Sequence, residues 1–251
     1  MRRIIGIVSG KGGVGKTTVT INLAAALMQF SKNVIAVDTD LRMSGLGLQL
    51  GMYNFPVTLN DVLKNKTNLL EALYIHSSGL RIIPASLCIE DIDTSELKNI
   101  FEDQFLENSI VLVDTPPGLG KQMIEILQAC EEIILVITPE FPAIADAMKL
   151  ISAIEKTGSR PIGIIVNNYR KGDADQITVK EIEFACNLPV IGVISEDKHI
   201  RKSIFRRVPN VFLNPNSSSS IAFKKIAADL TGLKYNPPRV GFLKRFWRRG
   251  K

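Results

Sequence analysis

Short apolar runs rich in valine and isoleucine alternate along this chain with segments that carry apolar residues at helical spacing. The runs predict seven β-strands, at Arg3–Ser9, Asn33–Asp38, Leu80–Pro84, Ser109–Asp114, Glu132–Thr138, Pro161–Asn167 and Pro189–Ile194. The intervening segments predict seven helices, at Gly15–Phe30, Leu59–Leu73, Thr94–Glu107, Lys121–Ala129, Ala143–Lys156, Asp175–Cys186 and Ser219–Leu233. This alternation predicts an α/β fold, with an open, doubly wound, mostly parallel sheet and helices on both faces.

Three polar clusters fall at predicted carboxyl ends of strands, which is where open α/β sheets bind their ligands. A glycine-rich loop follows the first strand, Asp38-Thr39-Asp40 follows the second, and Asp114-Thr115-Pro116-Pro117-Gly118 follows the fourth. The functional site is therefore expected at this edge of the sheet.

The positive charge of the chain lies at its carboxyl end. The net charge is +6, from 31 basic and 25 acidic side chains. Six of the basic residues and no acidic residue lie between Arg239 and Lys251, so the rest of the chain carries 25 of each. A neutral body disfavours nucleic acid as a partner. We predict one domain at residues 1–235, followed at residues 236–251 by a linker and an amphipathic segment, because Asn236-Pro237-Pro238 cannot continue a helix.

The cysteines and the apolar runs indicate a cytoplasmic protein. Cys88, Cys130 and Cys186 are odd in number and widely spaced, so neither a disulfide framework nor an iron–sulfur or zinc site is expected. The first apolar run, from Ile4 to Val8, leads straight into glycine, which is typical of a first strand and not of a signal peptide. No run approaches the roughly 18 to 20 apolar residues that a membrane-spanning helix requires.

The segment GKGGVGKTT fits the pattern G-x-x-x-x-G-K-[ST] and lies between a predicted strand and a predicted helix. Its glycines allow backbone amides to turn inward around an anion, and the following helix adds the positive end of its dipole. Lys16 is expected to reach the β- and γ-phosphates of a nucleoside triphosphate, Thr17 to place its hydroxyl on Mg²⁺, and Thr18 to contact the α-phosphate. The alternative is a glycine-rich turn that fits by chance. The predicted phosphate-binding residues are Gly10, Lys11, Gly12, Gly13, Val14, Gly15, Lys16, Thr17 and Thr18.

Carboxylates at the same sheet edge are suited to phosphoryl transfer to water. This reaction requires an oriented nucleophile and neutralisation of charge, and carboxylates near the γ-phosphate and the metal serve both needs. Asp114 ends a buried apolar run, a position suited to holding Mg²⁺ through water, and the loop up to Gly118 is able to respond to the γ-phosphate. Asp38 and Asp40 alternate, so their side chains point to one side of an extended segment. A helix cap or a turn is the alternative role for Asp38.

The form K-G-G-x-G-K-[ST] at Lys11–Thr17 resembles the deviant Walker A motif of the MinD/ParA family of ATPases. The resemblance extends through Asp38-x-Asp40, Asp114-x-Pro-x-Gly118, Asn167 and Glu196-Asp197, and so covers nearly all of the body. It implies an ATP-dependent homodimer in which Lys11 acts on the phosphates of the partner subunit, much as an arginine finger does. It also implies that Asp40 orients the attacking water and that Asp38 lies near the metal. The resulting assignments are Lys11, Lys16 and Asp40 as catalytic residues and Thr17, Asp38 and Asp114 as Mg²⁺ residues.

The sequence after the sixth predicted strand favours adenine over guanine. Guanine sites in P-loop proteins usually resemble Asn-Lys-x-Asp, whereas this chain reads Asn167-Asn168-Tyr169-Arg170 and has no aspartate for the guanine donors. The family resemblance makes Asn167 the base contact. Proline often precedes Glu-Asp in the family, and here Ser195 takes that place, which leaves this side of the base pocket open.

The carboxyl-terminal sequence RVGFLKRFWRRGK separates apolar from basic residues on a helical wheel. The bulky apolar residues fall within an arc of about 140° and the basic ones outside it, as in an interfacial membrane helix. A helix of about 12 residues is unstable alone, so we expect it to fold on anionic lipid, and two copies in one dimer gain avidity. Gly241–Arg245 is similar to the membrane-targeting sequence of the MinD branch of the family. The predicted membrane residues are Phe242, Leu243, Phe246, Trp247, Lys244, Arg245, Arg248 and Arg249.

The leading hypothesis is an ATPase similar to MinD that uses ATP and Mg²⁺ and dimerises. It is expected to bind the inner face of the cell membrane and to recruit an effector in positioning division or other polar structures. Hydrolysis is expected to be slow and raised by a protein activator. One alternative is a partitioning ATPase similar to ParA that binds nucleoid DNA, and another is a regulator of flagellar number from the same broader family. A basic tail that binds nucleic acid or stays solvated is the alternative reading of the carboxyl terminus.

Overall fold

The computed structural model describes residues 2–41, 44–87 and 92–238. In that part of the chain eight strands form one sheet, at β1 Arg3–Val8, β2 Val34–Asp38, β3 Tyr74–Ile75, β4 Arg81–Ile83, β5 Ile110–Asp114, β6 Glu132–Ile137, β7 Arg160–Tyr169 and β8 Val190–Ser195. The α-helices are α1 Lys16–Gln29, α2 Gly45–Leu50, α3 Leu59–Leu63, α4 Leu97–Phe101, α5 Lys121–Ala129, α6 Phe141–Ile154, α7 Val179–Cys186, α8 Lys198–Arg206, α9 Asn210–Leu213 and α10 Ser218–Thr231. Two 3₁₀ helices lie at Leu69–Ala72 and Gln104–Leu106.

The strand order is β3-β4-β2-β5-β1-β6-β7-β8, and every pair is parallel except β3 with β4. The predicted doubly wound sheet is therefore confirmed, with β1 near its centre between β5 and β6. In the register of β2 against β5, Asp38 lies opposite Asp114. The topology thus brings two acids that are distant in sequence to the same sheet edge, beside the loop that follows β1.

Side chains from both faces of the sheet form two hydrophobic layers. In β1, Ile5 and Ile7 pack on the face covered by α1 and α10, while Ile4 and Val8 pack on the face covered by α5 and α6. Successive residues of a strand point to opposite faces, so a strand covered on both faces must be apolar at nearly every position. This burial explains why the continuous apolar runs of the sequence locate the strands so well.

Two predicted helices were wrong in extent. The helix predicted at Leu59–Leu73 ends at Leu63, because Asn65 adopts a φ of 55° that a helix cannot continue, and only a 3₁₀ turn follows. The helix predicted at Thr94–Glu107 is reduced to α4 and the second 3₁₀ helix. The short strand β3 and the helices α2, α8 and α9 were not predicted.

The predicted membrane segment lies outside the described residues, since its apolar and basic side chains all fall within 239–251. Among the helices of residues 2–41, 44–87 and 92–238, none combines the length and apolar character that crossing a bilayer would need.

A candidate nucleotide site at the carboxyl edge of the sheet

The loop between β1 and α1 wraps around a buried lysine. Gly13 and Gly15 adopt φ values of 79° and 95°, in the left-handed region where glycine has no Cβ penalty. Lys16 is only 7% exposed, and its Nζ donates to Ser9 Oγ at 3.0 Å. Burial lowers the pKa of Lys16, and Asp114 and Asp40 oppose that shift. The ammonium group therefore lies beneath the loop within reach of its carboxylate neighbours.

Asp114 lies at the centre of the polar cluster. Its Oδ2 accepts a hydrogen bond from Thr17 Oγ1 at 2.6 Å and its Oδ1 accepts one from Thr20 Oγ1 at 3.2 Å. Burial raises the pKa of Asp114 to about 6, against the opposing effects of Thr17 and Lys16. Thr17 is predicted to bind Mg²⁺ directly and Asp114 to bind it through water. These two residues thus lie in contact with each other.

Asp38 is fully buried and anchors helix α2. Its Oδ2 accepts from Ser44 Oγ at 3.1 Å and from the Leu46 amide at 3.0 Å, and its Oδ1 accepts from the Asp40 amide at 3.1 Å. Burial, and then the nearby Asp114, raise the pKa of Asp38 well above its usual range. These bonds are those of a helix cap, which is the alternative role considered for Asp38, and its contact with a metal stays a prediction.

Helix α2, which was not predicted, packs on Thr17 and Thr18 at the end of the phosphate loop. A Cβ on Gly45 would lie 2.9 Å from Thr17 Oγ1, so only glycine fits at this approach. Thr18 Oγ1 donates to Gln49 Oε1 at 3.1 Å, so Thr18 contacts α2, and its contact with the α-phosphate stays a prediction. Ser44-Gly45, soon after the Asp38-x-Asp40 motif, was the available sign of this element.

A cleft of about 980 Å³ opens beside the loop and is large enough for a nucleoside. Asn167 is buried at its floor, and its Nδ2 donates to the Val14 carbonyl of the phosphate loop at 2.7 Å. At the rim, Arg170 Nε donates to Glu196 Oε2 at 2.7 Å. The cleft is lined by Gly15, Thr18, Asn167, Tyr169, Glu196, Asp197, His199 and Phe223, among others. The place of Asn167 is compatible with a base contact, which stays a prediction.

Asp197 joins the cleft to helix α10. Its Oδ2 accepts from Ser219 Oγ at 2.7 Å and its Oδ1 accepts from the His199 amide at 2.9 Å. Burial by itself raises the pKa of this carboxyl, but hydrogen bonds from His199 and Ser219 outweigh burial and hold its pKa well below the usual range of aspartate. The sequence marks Asp197 only through the resemblance at Glu196-Asp197, and no spacing predicts its bonds to α8 and α10.

Lys11 lies apart from the other predicted site residues. Lys11 lies on the outer side of the loop, half exposed, and its Nζ is 3.8 Å from Glu140 Oε2 at the start of α6. The Gly118 amide donates to the Ser9 carbonyl at 3.2 Å, which ties the loop after β5 to the phosphate loop. Lys11 therefore faces away from the cluster of Lys16, Thr17 and Asp114.

The donor set fits a magnesium nucleotide. Loop amides and a buried lysine suit phosphate oxygens. The neighbouring acids Asp38 and Asp114 have raised pKa values, and a nearby cation would lower them by favouring the ionised carboxylates. No group of three or more His, Cys, Asp or Glu forms a metal cage in the part of the chain that the structure describes. Mg²⁺ needs no such cage, since it keeps several waters and takes one or two carboxylates together with phosphates.

These features define a P-loop nucleotide-binding protein, with a glycine loop between a central strand and a helix, a buried lysine and a threonine–aspartate pair. Residues 5–210 match the model of the CobQ/CobB/MinD/ParA nucleotide binding domain. The chain belongs to this MinD/ParA family of ATPases, as its phosphate loop had indicated.

Similar proteins agree with this assignment. An uncharacterised ATP-binding protein of Methanocaldococcus jannaschii is 38% identical over 234 residues, which cover 92% of this chain and 88% of the relative. The septum site-determining protein MinD of Thermotoga maritima is 32% identical over 244 residues, covering 92% and 89%. The structure of MinD from Pyrococcus horikoshii OT3, complexed with Mg-ADP, superimposes with a TM-score of 0.86 at 35% identity, covering 92% of this chain and 96% of that one.

Proposed function

We propose that this ATPase acts as MinD proteins do, as a switch in which ATP joins two copies and the pair binds an anionic membrane through residues 239–251. In this role it positions cell division or other polar structures by recruiting a partner protein. The observation that carries the proposal is that two lysines of the phosphate loop lie on opposite sides of it. Lys16 is buried on the inner side, whereas Lys11 is held on the outer side with its ammonium available to a second molecule.

Within one subunit the buried cluster serves nucleotide binding. Lys16 and the loop amides would hold the phosphates, and Thr17 and Asp114 would hold Mg²⁺. When bound, Mg²⁺–ATP supplies the phosphoryl group that is transferred to water. Asp40 is half-buried and close enough to Lys16 to affect its pKa, a place suited to orienting that water. Asn167 supplies the base contact at the cleft, with adenine preferred.

Lys11 supports a role across the subunit interface. Its pairing with Glu140 spans 3.8 Å between two half-exposed side chains, and such pairs contribute under about 1 kcal/mol. A triphosphate on a second copy offers far more negative charge than one carboxylate, so Lys11 exchanges Glu140 for phosphate at little cost. Each nucleotide then holds both subunits, and a partner that orders this arrangement raises a slow intrinsic rate of hydrolysis.

Residues 239–251 convert dimerisation into membrane binding. Each basic residue near an anionic surface contributes up to about 1 kcal/mol to the free energy of binding. The loss of conformational entropy when the segment becomes ordered offsets part of this gain. One copy therefore binds weakly. Two copies on one particle bind with an affinity higher by orders of magnitude, because the second attachment is intramolecular.

Vesicle sedimentation tests this function. The full chain and a chain ending at Pro238 are spun with vesicles of equal parts phosphatidylglycerol and phosphatidylcholine, in ATP or in ADP. We expect only the full chain with ATP to sediment. A Phe242→Ser/Trp247→Ser variant keeps every charge, and its loss of binding would separate insertion from charge attraction. Equal sedimentation of the shortened chain would remove the membrane role from residues 239–251.

A further inference from the structure

Helix α8 presents a basic face that includes one exposed aromatic ring. At about 100° per residue, Arg201, Phe205, Lys198, Lys202 and Arg206 fall in that order within an arc of about 140°. Phe205 is 83% exposed. The opposite side of the helix is buried against the body through Ser203. We call this arc the α8 face.

The cations of the α8 face form no ion pairs within the described residues, although Glu196 and Asp197 directly precede the helix. From Lys198 to Ala228 the sequence contains no aspartate or glutamate. Across residues 2–41, 44–87 and 92–238, no carboxylate lies within 4.0 Å of a cation on this face. The next residue, Arg207, differs, since its guanidinium lies over the Tyr53 ring at 5.3 Å. The neutral total charge of the body thus hides a local excess of positive charge.

The α8 face belongs to the same helical layer from which the carboxyl-terminal segment departs. Ile200 of α8 packs against the hydrophobic layer that α1 and α10 cover. Just beyond α1, Phe30 stacks edge-on against Tyr235, with ring centroids 6.1 Å apart. Phe30 packs against the same layer as Ile200, so α8 and residue 235 both border the layer covered by α1.

Thirteen residues follow Pro238, a length that reaches up to about 45 Å when extended. A membrane bound by these residues is therefore within reach of the α8 face of the same molecule.

We propose that the α8 face is a second, folded contact for anionic lipid headgroups. Lys202 and Arg206 meet the phosphates, and the Phe205 ring enters the interface between headgroups and acyl chains. Lys198 and Arg201 also line the nucleotide cleft and add to the positive charge of the face. This inference rests on the proposed function, because residues 239–251 bring the body to the bilayer. The α8 face then fixes how the body lies on it.

Phe205 favours lipid over duplex nucleic acid. The phosphates of a duplex attract the four cations equally well, but they offer no partner to a phenyl ring that lies between two of those cations. A bilayer interface accepts aromatic rings and adds their apolar contact to the charge attraction. A single face that combines cations and an exposed aromatic ring therefore matches a lipid surface.

Vesicle titration of the full chain with ATP tests the proposal. The Lys202→Gln/Arg206→Gln variant changes two exposed cations that take no part in the nucleotide cleft. A matched control, Lys156→Gln/Lys180→Gln, removes the same charge from exposed positions on the opposite helical layer. On vesicles of equal parts phosphatidylglycerol and phosphatidylcholine, we expect about tenfold weaker binding for the α8 variant than for the control, which corresponds to about 1.4 kcal/mol. Phe205→Ser should weaken binding severalfold at unchanged net charge.

Three results have distinct meanings. Equal vesicle affinity of the α8 variant and its control would overturn the inference. Unchanged vesicle affinity combined with lost binding to duplex DNA would also overturn it, by assigning the face to nucleic acid. Removal of residues 239–251 tests the proposed function separately, because the α8 substitutions leave that segment intact. An α8 effect that persists while this truncation has none would support the α8 face and refute the terminal segment.

Discussion

Replacing Gly15 by alanine tests the packing of the phosphate loop most sharply. Gly15 has a φ of 95°, and the left-handed conformation costs a residue with a Cβ about 1–2 kcal/mol. The new Cβ would also lie 2.4 Å from Asn167 Nδ2, inside any allowed contact. Asn167 is short, buried and fixed in β7, so its amide must give up the 2.7 Å hydrogen bond to Val14. Losing that bond costs about 1–3 kcal/mol more.

The expected total is a loss of about 2–5 kcal/mol in the free energy of unfolding, measured by urea denaturation without nucleotide. Gly13→Ala is the matched control, because Gly13 has a φ of 79° but nothing lies within 4 Å of its Cβ position. It should cost only about 1–2 kcal/mol. In an Asn167→Ala background the extra cost of Gly15→Ala should largely disappear. Equal losses for Gly13→Ala and Gly15→Ala would refute the reasoning.

Other substitutions separate the roles within the site. Lys16→Ala should abolish nucleotide binding, whereas Lys11→Ala should leave ATP affinity within a few-fold while weakening dimerisation, as measured by nucleotide titration and sizing. Asp40→Ala should bind ATP but hydrolyse it about a hundredfold more slowly, and a wild-type rate would remove Asp40 from its role. Asp197→Asn should cost about 2 kcal/mol at pH 7 in urea denaturation. The depressed pKa of Asp197 means that its stabilisation is complete at neutral pH and declines as the pH falls below about 4. The difference in the free energy of unfolding between the wild type and Asp197→Asn should therefore become smaller below about pH 4. A difference that does not depend on pH would contradict this account.

The central strands and the phosphate loop could be predicted because each is encoded locally. Strands β1, β2, β5 and β6 agree with their predicted bounds to within one residue, since burial on both faces demands continuous apolar runs. The contact of Thr17 with Asp114 follows from the motif and from the predicted strand ends. Helix α2 was missed because Gly45 and Gly47 lower its helix propensity, and Gly45 is required there by the close approach of Thr17.

Long-range polar contacts escaped prediction because no spacing encodes them. The hydrogen bond from Asn167 to Val14 spans 153 positions, and that from Ser219 to Asp197 spans 22. Helix α8 was missed for a different reason. Its outward positions are basic and its inward side is narrow, with Ser203 as the buried residue, so no apolar stripe marks it. The same lack of apolar residues is what makes the α8 face a charged surface.

The mass of the protein in solution, measured by light scattering with ADP and with ATP, tests the switch most directly. The Asp40→Ala variant, expected to retain ATP, should have a mass near 27.7 kDa with ADP and near twice that value with ATP. Adding Lys11→Ala should return the ATP sample towards the monomer. A mass that stays at one subunit when ATP is bound would contradict the account, because neither the outward lysine nor the paired membrane segments would then have a partner.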